Sequence, residues 1–432
     1  MIASSSPHPR LRIYTTLGHY WLPLSAPLRR FDTERETERF EHLVQQRLST
    51  PNALCVPRAR TAVYLAVRAL VPAGKEVILS PLTIADVVSL VAAAGAIPVF
   101  ADVSRDGWHI DPDDVENLIG PRTGAVLITH LFGQTAGARR VEEICRNRGV
   151  PLIEDAAQAF GAAENGRPLG TWGNLGVFSF GMYKHLNGWR GGMLVSPSRP
   201  LLNRIRTEVR RMPILSWGRL AGLAALGLTT DLATLPPLFS RLTFPVFRWA
   251  QATNLSLLNR LVDPEFGVRR LDAVPRSYRA RMNAAQVRLA GLGLERLEEE
   301  NQIRRRNADL YLAGLCDLEE LTLPAFRADS SPVFPYFPIR CRDRSELLQW
   351  LLRQRRDVAT HSLKNCADLP AFQAFHCDCP NARCASRSLV LLPNYPRYPV
   401  SEIHRNIAAI RAFFRYDQTR QSHAQECVAH AR

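Results

Sequence analysis

Lysine is scarce in this 432-residue chain: of 55 basic residues only Lys75, Lys184 and Lys364 are lysines, and the rest are arginine. A guanidinium stays protonated and cannot act as an amine nucleophile, so each lysine is a candidate for chemistry that arginine cannot perform. Lys184 closes the run Phe178-Ser179-Phe180-Gly181-Met182-Tyr183-Lys184, and Gly188, Gly191 and Gly192 follow it. The glycines allow backbone to approach a ligand closely. A second run, from Pro151 to Gln158, sets Asp155 directly after an apolar stretch. Alone, Asp155 reads equally well as a helix N-cap, and an isolated lysine as a solvated surface charge. Together, on neighbouring strand ends, they suit pyridoxal phosphate: the amine holds the cofactor covalently and the carboxylate keeps its ring nitrogen protonated. A desolvated site with cations nearby lowers the lysine pKa and frees the amine.

Such placement requires a sheet whose strand ends converge. Short apolar segments at Glu76–Ser80, Ile97–Phe100, Ala125–Thr129 and Pro151–Glu154 alternate with helical patterns at Thr61–Leu70, Ile84–Ala94, Pro112–Ile119 and Val141–Arg148. This rhythm predicts a mostly parallel α/β sheet covered on both faces, with ligands beyond the carboxyl ends of its strands. Residues 1–35 read as an irregular arm, 36–206 as the large α/β domain, and 207–268 as an apolar and basic insertion. Residues 269–432 read as a long helix, Ala284–Leu315, followed by a small α+β domain.

Composition narrows the partners. Hydrophobic residues make up 46% and charged residues 22%, which excludes a largely disordered chain, and the net charge of +15 suits an anionic ligand. No zinc-finger, RNP-like or groove-reading basic element is present, so no nucleic-acid partner is expected. Nine cysteines do not read as a disulfide framework, and the spacing of Cys366, Cys377, Cys379 and Cys384 fits no common zinc pattern, so no metal is expected. With neither a secretory signal nor an apolar run long enough to span a bilayer, the expectation is a cytoplasmic protein.

The motifs occur in a recognisable order: Ala94 to Asp102, Ile110-Asp111-Pro112, Pro121-Arg122-Thr123, His130 to Gln134, Glu154 to Gln158, Ser179 to Lys184 with Gly191-Gly192, and Leu392 to Pro396. In that order the chain resembles the DegT/DnrJ/StrS sugar aminotransferases, a branch of the fold-type I pyridoxal phosphate enzymes. The resemblance implies a homodimer that moves an amino group from L-glutamate to a keto group on a nucleotide-linked sugar, as in polysaccharide or antibiotic biosynthesis. It implies that Lys184 binds the cofactor and moves the proton, Asp155 pairs with the ring nitrogen, Gln158 contacts the ring oxygen and Ser179 binds the phosphate. A related dehydratase branch carries histidine at the lysine position.

Three positions depart from the family pattern. Arg58-Ala59-Arg60, followed by Thr61, replaces Ser-Gly-Thr at the phosphate-binding helix; Arg58 or Arg60 would supply the contact as a guanidinium. Ile84 stands where an aromatic residue covers the ring, and Arg279 where an asparagine reaches the partner's phosphate. The insertion, with Trp217 and Trp249 among prolines and arginines, leaves two readings open: extra core and dimer surface, or an element lying on a membrane. The altered cofactor surroundings leave a membrane-associated, non-catalytic member of the fold as a further reading.

Overall fold

The computed structural model describes residues 6–13, 15–29, 31–252, 268–325, 327–360 and 363–430. Strands β1 (Asn52–Val56), β2 (Glu76–Leu79), β3 (Ile97–Phe100), β4 (Thr123–Thr129), β5 (Leu152–Asp155), β6 (Leu175–Ser179) and β7 (Gly192–Ser196) form one sheet in the order β1-β7-β6-β5-β4-β2-β3. From β6 to β3 the pairings are parallel; β7 runs against both neighbours. The strand period of two divides each apolar run between two cores. Ala125 and Leu127 enter one, Val126 and Ile128 the other. Helices on both faces bury these residues, which is why the strands read as unbroken apolar segments.

A second, antiparallel sheet, β8 (Leu321–Thr322), β9 (Tyr336–Cys341), β10 (Ala359–Thr360) and β11 (Leu389–Pro393), has the order β8-β9-β11-β10. Helices Ala284–Leu315 and Val400–His430 pack with it around Tyr311, Phe337, Ile339, Leu392 and Ile410. The long helix coincides with its predicted limits, and a capping box between Asn283 and Gln286 sets its start. The stretch from Leu363 to Leu389 is shared between the two sheets: Phe372, Cys379 and Ala385 lie in the same core as Leu79 and Phe100. Asp102 bridges them too, its carboxylate accepting from the amides of Asn381 and Ala382 at the start of helix Pro380–Ser388. Of the clustered cysteines, Cys366 and Cys379 are buried while Cys377 and Cys384 are exposed.

The N-terminal arm is not irregular as expected. It forms helix Leu17–Arg29, with Pro23 inside it, and a second helix, Thr33–Leu48. Proline signalled a loop. Packing overrides it: Ile13 and Leu22 share a small core with Trp189, Leu220 and Leu223. Those last two leucines belong to helix Trp217–Ala233 of the insertion, which continues as Pro236–Leu238, Phe239–Thr243 and Phe244–Ala252. Residues 253–267 of the insertion are outside the described residues.

Candidate active site

Asp155 and Ser179 end the adjacent parallel strands β5 and β6, so both stand at the carboxyl edge of the sheet. Asp155 is buried, one carboxylate oxygen accepting from the Ala157 amide at 3.0 Å. The chain then turns through Gly181, where an added Cβ would stand 3.6 Å from both Ser179 Oγ and Lys184 Cγ. Lysine and serine therefore border the same space. Burial holds the Lys184 amine below its ordinary value; the Asp155 carboxylate acts against this and the Arg60 charge adds to it. Burial raises Asp155, opposed by the Ala157 amide and then by Lys184. Each group is desolvated and each feels the other, which is the pairing that the two motifs anticipated.

Behind Asp155 lies a fully buried pair that the sequence reading quoted without giving a role. His130 Nδ1 accepts from the Ala136 amide at 3.1 Å, which assigns the proton to Nε2, 2.9 Å from Glu154 Oε2. Glu154 also accepts from the amides of Gly170 and Gly173, and the His130 amide donates to the Asp155 carbonyl. Gln158 is fixed by its Oε1, which accepts from the amide of Phe132, a residue with a left-handed φ of 55°.

Helix Ala59–Leu70 begins beside these groups, and no side chain caps its N-terminus. Gly192 makes the approach possible, because a Cβ there would meet Ala59 N at 2.6 Å and the Arg58 carbonyl carbon at 2.7 Å. Uncapped amides at a helix N-terminus favour an anion. Arg58 stacks over the Tyr278 ring at 4.5 Å and donates to the Ser277 carbonyl. Burial, with Arg190 next to it, pushes its guanidinium down to about 10, still protonated at neutral pH. Arg60 pairs with Asp86 at 2.9 Å, and Tyr278 donates to the same carboxylate oxygen at 2.9 Å. Thr61 is buried and donates to the Tyr278 carbonyl.

Tyr278 and Asp86 are the groups sequence reading missed; they become neighbours of Arg58 and Arg60 only when distant segments meet. Ile84, half-buried, precedes helix Ala85–Ala93. Arg279 is exposed, outside the enclosed part of the site. The other lysines are elsewhere: Lys75 donates to the Pro121 carbonyl, and Lys364 pairs through backbone with Thr83. Gln286 secures the glycine turn, its amide donating to the carbonyls of Gly188 and Arg190.

The donor set matches pyridoxal phosphate: a desolvated amine, a buried carboxylate for the ring nitrogen, and a cationic, uncapped helix start cradled by Gly192 for the phosphate. The sequence profile of the DegT/DnrJ/EryC1/StrS aminotransferase family matches residues 27–217 and 263–411. The chain belongs to that family. Pyridoxal phosphate is accordingly its cofactor.

Among relatives, GDP-perosamine synthase of Vibrio cholerae is 34% identical over 168 residues, 39% of this chain and 46% of that protein. The dTDP-3-amino-3,4,6-trideoxy-alpha-D-glucose transaminase of Streptomyces venezuelae is 29% identical over 381 residues, 87% of this chain and 86% of that protein. Over the former the chain spans about half of the relative's length. The crystal structure of DesV from S. venezuelae superposes with a TM-score of 0.72 at 25% identity, covering 95% of this chain and 99% of that one. The aminotransferase TlmJ from Streptoalloteichus hindustanus gives 0.74 at 22% identity, covering 95% and 100%. The fold is therefore that of the fold-type I aminotransferases, as predicted. This family member carries lysine, not histidine, at the position that distinguishes the dehydratase branch.

Proposed function

We propose that this chain transfers an amino group from L-glutamate to a keto group on a nucleotide-linked sugar, working as a homodimer in the cytoplasm. The observation that carries the reading is the desolvated Lys184 amine facing the buried Asp155 carboxylate beside an uncapped, arginine-flanked helix. When bound, the cofactor supplies an electron sink conjugated to the carbon that loses its proton. Lys184 anchors the cofactor and then takes and returns the proton at that carbon. Asp155 holds the proton on the ring nitrogen, and His130, through its amide and the Glu154 network, keeps that strand end in place. Gln158, its Oε1 held by the Phe132 amide, donates to the ring oxygen with its amide nitrogen. Ser179 and the amides at the start of helix Ala59–Leu70, helped by Arg58, bind the phosphate; the Thr61 hydroxyl, expected there, is instead committed to the Tyr278 carbonyl. Burial, with the Arg60 charge adding to it, disfavours protonation of the Lys184 amine, Ile84 covers the ring, and Arg279 reaches toward the second subunit. Relatives named as acting on GDP- and dTDP-linked sugars support a nucleotide-linked acceptor.

The test is the absorbance spectrum of purified protein mixed with pyridoxal phosphate, before and after L-glutamate, beside Lys184→Ala. The wild type is expected to show a lysine-bound band that glutamate bleaches, and the variant no such band. A spectrum identical to free cofactor in the wild type would overturn the reading. L-Glutamine in place of glutamate tests the donor, because a relative in Streptomyces kanamyceticus is named for that amino acid.

A further inference from the structure

The family profile leaves out residues before 27 and between 217 and 263, and these two additions pack on each other. Ile13 and Leu22 join Leu220, Leu223 and Ala224 in one small core. Asp231 of the insertion accepts from Thr15 and Tyr20 of the N-terminal segment, with Arg12 at 3.9 Å. Their outer faces are apolar. Leu17, Trp21 and Leu24, at intervals of four and three, are 88%, 61% and 69% exposed. In the insertion Leu235, Leu238, Leu242, Val246 and Trp249 recur at helical spacing and are all exposed. Helix Leu17–Arg29 packs on helix Trp217–Ala233, which itself exposes Leu226, Leu228 and Leu232, and the Leu235–Trp249 row lies on the segment that follows it; together these exceed the scattered apolar residues of an ordinary surface.

We propose that helix Leu17–Arg29 and the insertion helices from Trp217 to Ala252 together form a docking surface for an anionic phospholipid bilayer. Charge selects this occupant. The chain carries 40 acidic residues, yet from Val209 to Ala252 the sole carboxylate is Asp231, already engaged, and Leu17–Arg29 has none. Exposed Arg210, Arg211, Arg219, Arg241 and Arg248 frame the apolar rows. A second copy of the chain would bring the same patch, and the same uncompensated arginines, against itself. Anionic headgroups supply the missing negative charge, while leucines and tryptophans enter the acyl boundary and arginine stems lie along it. No helix among the described residues is long and apolar enough to cross a membrane, so the element lies in the interface. The surface also adjoins the catalytic turn: Thr230 is hydrogen-bonded to Tyr183, next to Lys184, and Gly227 packs directly on Trp189. This inference stands apart from the amination reading, since it concerns faces that touch neither cofactor nor Lys184.

The experiment is flotation of the full-length protein with vesicles of phosphatidylcholine containing phosphatidylglycerol, and with phosphatidylcholine alone, at low and high salt. The wild type is expected to float with the anionic vesicles and to be released by salt. Leu242→Asp/Val246→Asp and, separately, Leu17→Asp/Leu24→Asp are expected to lower the partition coefficient by about tenfold or more, since each removes two exposed apolar side chains from the acyl boundary. Circular dichroism and the cofactor spectrum should be unchanged in both, which separates lost docking from lost fold or lost amine chemistry. Failure of the wild type to float, or equal flotation of wild type and variants, overturns the proposal. So does light scattering that shows the aspartate variants turning a dimer into monomers without altering flotation, because the patch would then be a contact between copies.

Discussion

At Lys184 a desolvated amine is balanced between one carboxylate that favours its charge and one guanidinium that opposes it. Arg60→Ala removes the opposing charge, so the amine pKa rises; the acid limb of cofactor capture, followed by absorbance against pH, is expected to move to higher pH. The sign follows because only the neutral amine attacks and one charge that opposes its protonation is gone. Asp155→Asn keeps the volume and removes the charge, and turnover is expected to fall at least about a hundredfold, read from single-turnover bleaching by glutamate. On the phosphate role proposed for Arg58, Arg58→Ala is expected to weaken cofactor binding roughly 10- to 100-fold in a titration, at about 1.5–3 kcal/mol for such a bond. Lysine scarcity and the two strand-end motifs made the Lys184–Asp155 pair legible in the sequence. The Arg60–Asp86–Tyr278 contacts were not, because their residues come from three separate segments and carry no mutual spacing signal.

Helices and strands show the same division. The long helix Ala284–Leu315 was readable because its charged, amphipathic pattern is local, and the structure adds a capping box at Asn283. Helix Leu17–Arg29 was not, because its prolines point away from a helix and it is stabilised by distant segments, the insertion, Trp189 and the long helix at Ala285 and Leu289. The insertion is in turn locked to the turn that carries Lys184 and Trp189 by a close approach. A Cβ on Gly227 would stand 2.1 Å from Trp189 Cζ3. Trp189 cannot yield: it is buried, has a left-handed φ of 63°, and bonds to Asn187 and His19. Gly227→Ala is therefore expected to cost about 1–3 kcal/mol, seen as a lower Tm and faster proteolysis within Trp217–Ala252.

For the whole molecule, burial of histidines couples stability to pH. His19 is pushed down to about 4 and His109 to about 3, and His185 lies well below its usual range, in each case first by burial. Unfolded, each takes up a proton near pH 6.5; folded, each stays neutral until far lower pH. The unfolded state therefore binds more protons below about pH 6.5, and stability, complete above it, is lost as the pH falls. Thermal melts between pH 7 and 5 are expected to show a declining Tm. His19→Gln should flatten the decline by up to about 2 kcal/mol at pH 5. Comparing these two proteins isolates one histidine from the buried carboxylates Glu41 and Asp155, whose raised values act in the opposite direction.

The alternation of apolar strands and amphipathic helices, the order of the motifs and the position of the reactive lysine are properties of local pattern, and the sequence alone determined them. Tertiary structure decided what depends on segments meeting: the antiparallel β7, the core shared between the two sheets, the arginine–tyrosine cluster at the start of helix Ala59–Leu70, and the pairing of the N-terminal helix with the insertion. The physical reason is range. Periodicity and capping act over a few residues, whereas side-chain contacts between distant segments exist only once the backbone has closed around them.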